Sequence, residues 1–164
     1  MKQKTKHFLA ILLLNCMFIT YGFAQRATHI PDDPTVVPAD FGTTKTTILV
    51  VNYGRNGIDK YLEKDFSKNY KGEYIIINKD DLNNKEYKDL TKYGYIFKLV
   101  DDFTAGRFTA GGGRDAPEMN YHINFIDRSN FITYKTLISS NMFSKLVKSY
   151  IDRLNEKIEK NGTK

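Results

Sequence analysis

The sequence predicts one α/β domain, from about Thr46 to Lys160, with the element order β-α-β-α-β-β-β-α around a mixed sheet whose first three strands are parallel. Three patterns predict it. Ile48-Leu49-Val50-Val51 and Tyr74-Ile75-Ile76-Ile77 are unbroken apolar runs separated by a stretch of helical periodicity, the pattern of a parallel β-α-β unit whose strands are covered on both faces. Between Tyr121 and Ile138 the pattern changes to alternation, which marks antiparallel strands with one wetter face. Last comes the best amphipathic stripe in the chain, Met142, Phe143, Leu146, Val147, Tyr150, Ile151, Leu154 and Ile158, and it needs a sheet to lie on.

Ahead of the domain, Met1 to Ala24 reads as a leader peptide. Lys2, Lys4 and Lys6 form a positive start, Phe8 to Tyr21 is mostly apolar, and Gly22-Phe23-Ala24 offers small residues for cleavage before Gln25. The apolar run falls short of the roughly 20 residues a membrane-spanning helix needs, and Asn15 and Thr20 interrupt it. Lipid attachment at Cys16 is the rival reading, disfavoured by the bulk of Asn15 where such a motif needs a small residue. Export places the mature chain in the periplasm or outside the cell. Without the leader the chain has 22 basic and 19 acidic residues, so most of the apparent basicity is targeting, and a nucleic-acid partner is not expected. The single cysteine, Cys16, leaves with the leader, which excludes disulfides, a thiolate nucleophile and thiolate metal sites.

Residues 25–45 follow as a linker. Pro31, Pro34 and Pro38 predict an extended spacer with little packing. Thr46 to Tyr53 is the first strand. After the turn at Asn52 to Gly57, Ile58, Tyr61, Leu62, Phe66 and Tyr70 recur at helical spacing, and Gly72 is the expected stop. Tyr74 to Ile77 is the second strand, and Asp80-Asp81 can cap a second, short helix through Leu82, Tyr87 and Leu90. Tyr95 to Phe103 is the third strand. Tyr121 to Asp127 and Phe131 to Ile138 complete the sheet around the turn Arg128-Ser129-Asn130. Ser139-Ser140-Asn141 supply caps for the final helix, and residues 161–164 form a frayed tail.

With an exported leader, a proline-bearing spacer and Gly94-Tyr-Ile-Phe-Lys-Leu-Val100 opening a long loop and a β-hairpin, Thr46 to Lys160 resembles three groups of periplasmic α/β domains. These are the curli-secretion assembly lipoproteins, the penicillin-binding-protein activator lipoproteins and the amino-terminal domain of the Tol-system translocation protein. The resemblance is one of element order and assigns no residue a role. It implies a binding module of the cell envelope.

The most distinctive stretch is the glycine-rich insert from Thr104 to Glu118. Gly111, Gly112 and Gly113 free successive backbone N–H groups for an anion, Arg107 and Arg114 can clamp a carboxylate or phosphate, and Phe108 is an apolar anchor for a protein partner. No Gly-Lys-Ser/Thr follows, so it is not a nucleotide-binding phosphate loop. Asp101, Asp102, Asp115, Glu118 and Asp127 surround the insert without a calcium-loop spacing, and His122 sits on a strand without a second histidine or a cysteine nearby. No catalytic set, metal site or cofactor site is predicted. Tyr93, Tyr95, Tyr121 and Tyr134 can either fill the core or stack on a sugar or peptide. The leading expectation is a non-catalytic envelope binding or adaptor module, with an envelope protein or an anionic ligand as partner of the loop. The alternatives are a small periplasmic hydrolase acting on glycan or peptide through Asp101, Asp102 or Glu118 with His122, and a structural module whose loop is incidental.

Overall fold

The structure, a computed structural model, describes residues 30–106, 112–113, 116–136 and 140–162. Its elements are β1 (Thr47–Val51), α1 (Asn56–Asn69), β2 (Glu73–Ile77), β3 (Tyr95–Thr104), β4 (Glu118–Asp127), β5 (Ile132–Lys135) and α2 (Phe143–Gly162). The sheet runs β2-β1-β3-β4-β5. β1 pairs in parallel with both β2 and β3, and the β3-β4 and β4-β5 pairs are antiparallel. The α/β class, the parallel first three strands and the terminal helix on the sheet are as predicted.

β1 is buried along its whole length because each of its faces has a cover. Ile48 and Val50 meet Leu62 and Phe66 of α1 and Val147, Tyr150 and Leu154 of α2 in the main core, together with Phe97, Ile123 and Phe125. Leu49 and Val51 face the other way, onto Ile77, Tyr93, Leu82 and Tyr87. Both long helices therefore share one face of the sheet. The opposite face is covered at its β2-β1 end by the connection to β3.

Four expectations need correction. The predicted second helix is two 3-10 turns, Lys79–Asn83 and Lys85–Tyr87, with Leu90 exposed; a stripe of so few apolar residues buries too little surface to hold longer helix. Gly72 is not a left-handed helix stop. α1 ends on extended Tyr70, and a Cβ at Gly72 would lie 2.5 Å from the Tyr70 hydroxyl oxygen, so the glycine makes room for that ring. The end of α1 is satisfied from the other helix: buried Asn155 donates to the Asn69 carbonyl at 2.7 Å and accepts from Lys71 N–H at 2.9 Å.

The fifth strand is also shorter than Phe131 to Ile138, and residues 137–139 lie outside the described residues. Phe131 belongs to the turn, at φ +57° and almost fully exposed. The Asp127 carboxylate organises that turn by accepting from Ser129 N–H, Asn130 N–H and the Asn130 side chain. Ser140 then exchanges both backbone hydrogen bonds with Tyr121, which returns the chain to β4.

The largest departure is the proline segment. From Ile30 onward it is no spacer: Ile30, Val36, Val37 and Phe41 are buried in the main core. Asp33-Pro34-Thr35 forms a turn in which the Asp33 carboxylate accepts from the Thr35 backbone N–H and hydroxyl, while Val36 N–H bonds to the Asp33 carbonyl. The strap so formed is fastened to α2 by the buried Tyr150 hydroxyl on the Val36 carbonyl at 2.7 Å. Asn161 donates to the carbonyls of Ala39 and Phe41, and Arg153 and Lys157 face Asp32. Prolines set turns here, and turns let non-periodic apolar residues face inward.

Candidate functional site

β1 leads to its helix and on to β2 on one side, while β3 lies on the other side of β1 and continues into an antiparallel hairpin. The carboxyl ends of β1 and β3 therefore flank a topological switch point, where open α/β sheets form a crevice suited to ligands. Here that crevice has a volume of about 380 Å³ and is lined by Asn52 to Arg55 after β1, Lys98 to Asp101 on β3, and Lys79 from the 3-10 turn.

The turn after β1 is built by one carboxylate. Asp59, in the first turn of α1, accepts from Tyr53 N–H at 2.6 Å and from Gly54 N–H at 3.2 and 3.3 Å, and Gly54 takes φ +92° to allow it. Both amides of the turn are thereby satisfied by the chain's own carboxylate. Next in sequence, Arg55 is the N-cap of α1, and no side chain caps the helix. Its guanidinium lies over the Tyr53 ring, 5.5 Å from the centroid, and reaches Met119 Sδ on β4 at 3.8 Å. Arg55 thus ties the start of α1 to the hairpin.

On the far wall lies Asp101; burial, helped by that carboxylate, pushes the Tyr53 phenol up to about 12. Tyr53 therefore stays a neutral donor at any physiological pH. Arg55, Lys79 and Lys98 line the crevice, Lys98 from the sheet face opposite Asp101, and none of the three is in an ion pair among the described residues. A larger crevice of about 470 Å³ at the opposite end of the sheet has the contrary character. Its Lys45 is paired with Glu73 and its Lys71 with Glu159, so its charges already answer one another.

Beyond the crevice, pairing between β1 and β3 ends at Lys98, but β3 and β4 stay paired to Thr104 and Glu118. The last residues form a two-stranded arm carrying the glycine-rich insert. Phe103, 65% exposed, and Met119 are cross-strand partners on the helix-facing side of this arm. Tyr61 and Met142 are exposed on the helical layer, where the Tyr61 ring meets Phe143 edge-on.

Of the predicted loop residues, Arg107, Phe108, Gly111 and Arg114 lie outside the described residues, while Gly112 and Gly113 are exposed and Gly112 takes φ +78°. The hydrolase candidates divide. Asp101 faces the helix side of β3 and Asp102 the open side; Glu118 pairs with Thr104 at the far end of the arm. Asp102 and His122 do meet, with Oδ2 3.0 Å from Nδ1, as a close contact without the alignment of a hydrogen bond. His122 is 4% exposed, and burial, with Lys135 assisting, lowers its pKa against the opposing pull of Asp102. The four tyrosines proposed for stacking on a ligand belong to the protein interior: Tyr93 and Tyr121 are buried, Tyr95 stacks on Phe125, and Tyr134 packs at the core margin.

Arg55, Lys79 and Lys98 are the residues that sequence reasoning passed over. Lys98 had a visible signal, a lone charge inside the strand Tyr95-Ile-Phe-Lys-Leu-Val100. Arg55 and Lys79 looked like ordinary surface residues until the sheet order brought them together. No family model, curated protein or solved structure matches the chain, so the likeness to periplasmic binding domains rests on element order alone. Among the described residues, no group of three or more His, Cys, Asp or Glu side chains is placed to hold a metal ion, and no helix is long and apolar enough to cross a membrane.

Proposed function

We propose that the chain is an exported, non-catalytic binding module of the cell envelope, and that it recognises its partner through the β3-β4 arm and the loop 104–118. The observation that carries this reading is the end of the arm: a hairpin prolonged past the β1 pairing, whose base packs through Leu99 and Tyr121 but whose Phe103 stays bare. Lengthening strands beyond their sheet costs conformational entropy with little burial in return, which suits a segment that completes its contacts on another molecule.

Site-specific photocrosslinking tests it. A photoreactive phenylalanine at position 103 should give a discrete adduct in cells producing the full chain, absent when the probe sits at Lys64 on the outer side of α1. Replacing residues 105–117 with Asn-Gly should abolish the adduct while thermal stability is kept. Adducts that survive the loop replacement unchanged would mean the loop is incidental, and no adduct at position 103 in the unaltered chain would mean the module is structural. Mass spectrometry of the mature amino terminus should find Gln25 first; an uncleaved chain refutes the export route, and a lipidated Cys16 refutes cleavage before Gln25.

The Asp102–His122 contact favours a second reading, a small hydrolase. It lacks a third reacting group among the described residues. Loss of hydrolysis of peptidoglycan or peptide substrates in His122→Gln, with the wild type active, is the result that would establish it.

A further inference from the structure

We propose that β2, a free edge of the sheet, pairs antiparallel with β2 of a second copy of this chain, joining the two sheets into one across a two-fold axis at Ile75. β1 separates this edge from the β3-β4 arm, so the inference is independent of the recognition reading and either can fail without the other.

The first support is the backbone. β2 pairs only with β1, in an unbroken parallel register from Glu73 to Ile77. The Ile77 carbonyl accepts from Asn52 N–H at the end of β1, which fixes the phase of the strand. The backbone groups of Glu73, Ile75 and Ile77 therefore face β1, and those of Tyr74 and Ile76 face outward. Neither outward residue has a backbone partner among the described residues. An edge of this kind is a template for another strand, and proteins usually blunt it with a lysine, a proline, a bulge or a covering segment. β2, Glu73-Tyr-Ile-Ile-Ile77, has none of the first three. Nor is it covered: Tyr74, Ile75 and Ile76 are only half-buried, and Ile76 lines an open notch of about 240 Å³ beside Asn56, Lys60 and Glu63 of α1. The opposite edge, β5, is four residues long and ends on exposed Lys135.

The second support says what covers the edge. With the axis at Ile75, Tyr74 of one copy lies opposite Ile76 of the other, so the outward-facing residues exchange both backbone hydrogen bonds. Ile75 meets its own counterpart at the close-spaced position between them. Tyr74 and Ile76 belong to the core on the helix side and Ile75 to the cluster on the reverse side, so apolar side chains meet apolar side chains on both faces. Moving the axis to Tyr74 would set Ile76 against Gly72 and Ile77 against Lys71, which loses this match. The third support is charge. A surface that meets its own copy brings each unbalanced charge to its like, and this seam has none at its ends. Glu73 is paired with Lys45 at 2.8 Å, Lys71 is paired with Glu159, and Lys79 lines the crevice after β1.

Sedimentation velocity of the chain from Gln25 onward, which holds every described residue, should show a monomer-dimer equilibrium between about 5 μM and 1 mM, the range of a small seam. Ile75→Lys sets two like charges against each other at the axis and should raise the dissociation constant about tenfold or more. Ile75→Cys is the milder change and reports position. Its two copies would have Cα atoms about 4.5 Å apart, within disulfide reach, so mild oxidation should give a covalent dimer. Thr133→Cys, exposed on the opposite edge, should stay monomeric under the same oxidation. A chain that is monomeric up to about 1 mM overturns the proposal. So does a dimer that Ile75→Lys leaves intact, or one that Ile75→Cys does not trap. Amide exchange names the other occupant: protection of the Tyr74 and Ile76 amides that appears only with envelope extract, in a chain that stays monomeric, means a foreign strand takes the edge and self-pairing is wrong.

Discussion

Replacing Phe41 by alanine separates a packed strap from a loose linker. Phe41 is 3% exposed, its ring meets Tyr95 edge-on at 5.2 Å and Phe125 at 5.4 Å, and its backbone is held by Asn161. Removing a phenylalanine from a filled core costs about 3–5 kcal/mol, which includes both the lost transfer energy and the cavity left behind. Two edge-on ring contacts, worth about 0.5–1.5 kcal/mol each, place the expectation in the upper half of that range. With a urea m-value of about 2 kcal/mol/M, the unfolding midpoint of the mature chain, followed by far-UV circular dichroism, should fall by about 2 M. A domain of this size has a total stability of about 5–15 kcal/mol, so the variant either unfolds early or barely folds, and Phe41→Leu provides a milder step in the same direction. Phe103→Ala is the matched control: the same side chain is lost from an exposed site, and the midpoint should move by no more than about 0.5 kcal/mol of stability. If Phe41→Ala behaves like Phe103→Ala, residues 30–41 do not pack and the strap is wrong.

Three further outcomes follow from the geometry. Gly42 and Gly54 both have φ near +90°, so alanine at either is strained by about 1–2 kcal/mol, but a Cβ at Gly42 would meet Ile158 Cα at 2.8 Å while one at Gly54 meets nothing within 4 Å; thermal denaturation should therefore show Gly42→Ala the more harmful by about 1–3 kcal/mol. Asp59→Ala should cost about 1–2 kcal/mol and speed hydrogen exchange at the amides of Tyr53 and Gly54, whereas Asp59→Asn, which keeps an acceptor oxygen, should cost less. The native pKa of His122 lies below its ordinary value of 6.5, so as pH falls the unfolded chain takes up the proton first. The stability from keeping this imidazole neutral is complete above pH 6.5 and is lost as pH drops through the native pKa. His122→Gln, measured by denaturation at pH 7.5 and 5.5, should reduce that pH dependence; an unchanged slope would show that Asp101, Asp102 and Lys135 leave His122 no net shift.

Much of the fold was legible because its signals are local. Continuous and alternating apolar patterns depend on whether a strand is covered on one face or two, and Ile48 to Val51 and Tyr121 to Phe125 carry those patterns in consecutive residues. The final helix was equally plain, since its stripe repeats over five turns. Phe41 carried no such signal. It is an isolated aromatic among prolines and glycine, and only the Tyr95 and Phe125 rings that the sheet brings beside it give it a reason to turn inward. His122 likewise reads as a polar strand residue, and nothing near it in sequence announces burial beside Asp102.

The sequence by itself determined the nature and order of the main elements, and the interruption between the third and fourth strands. Each follows from the chemistry of neighbours a few residues apart. The tertiary structure decided that β1 lies between β2 and β3, that the proline segment closes the core, and that Arg55, Lys79 and Lys98 share one crevice. Those facts depend on which distant surfaces are brought together, and strand order sets that. A chain can carry the same periodicities in several sheet orders, and packing between distant segments selects the one observed.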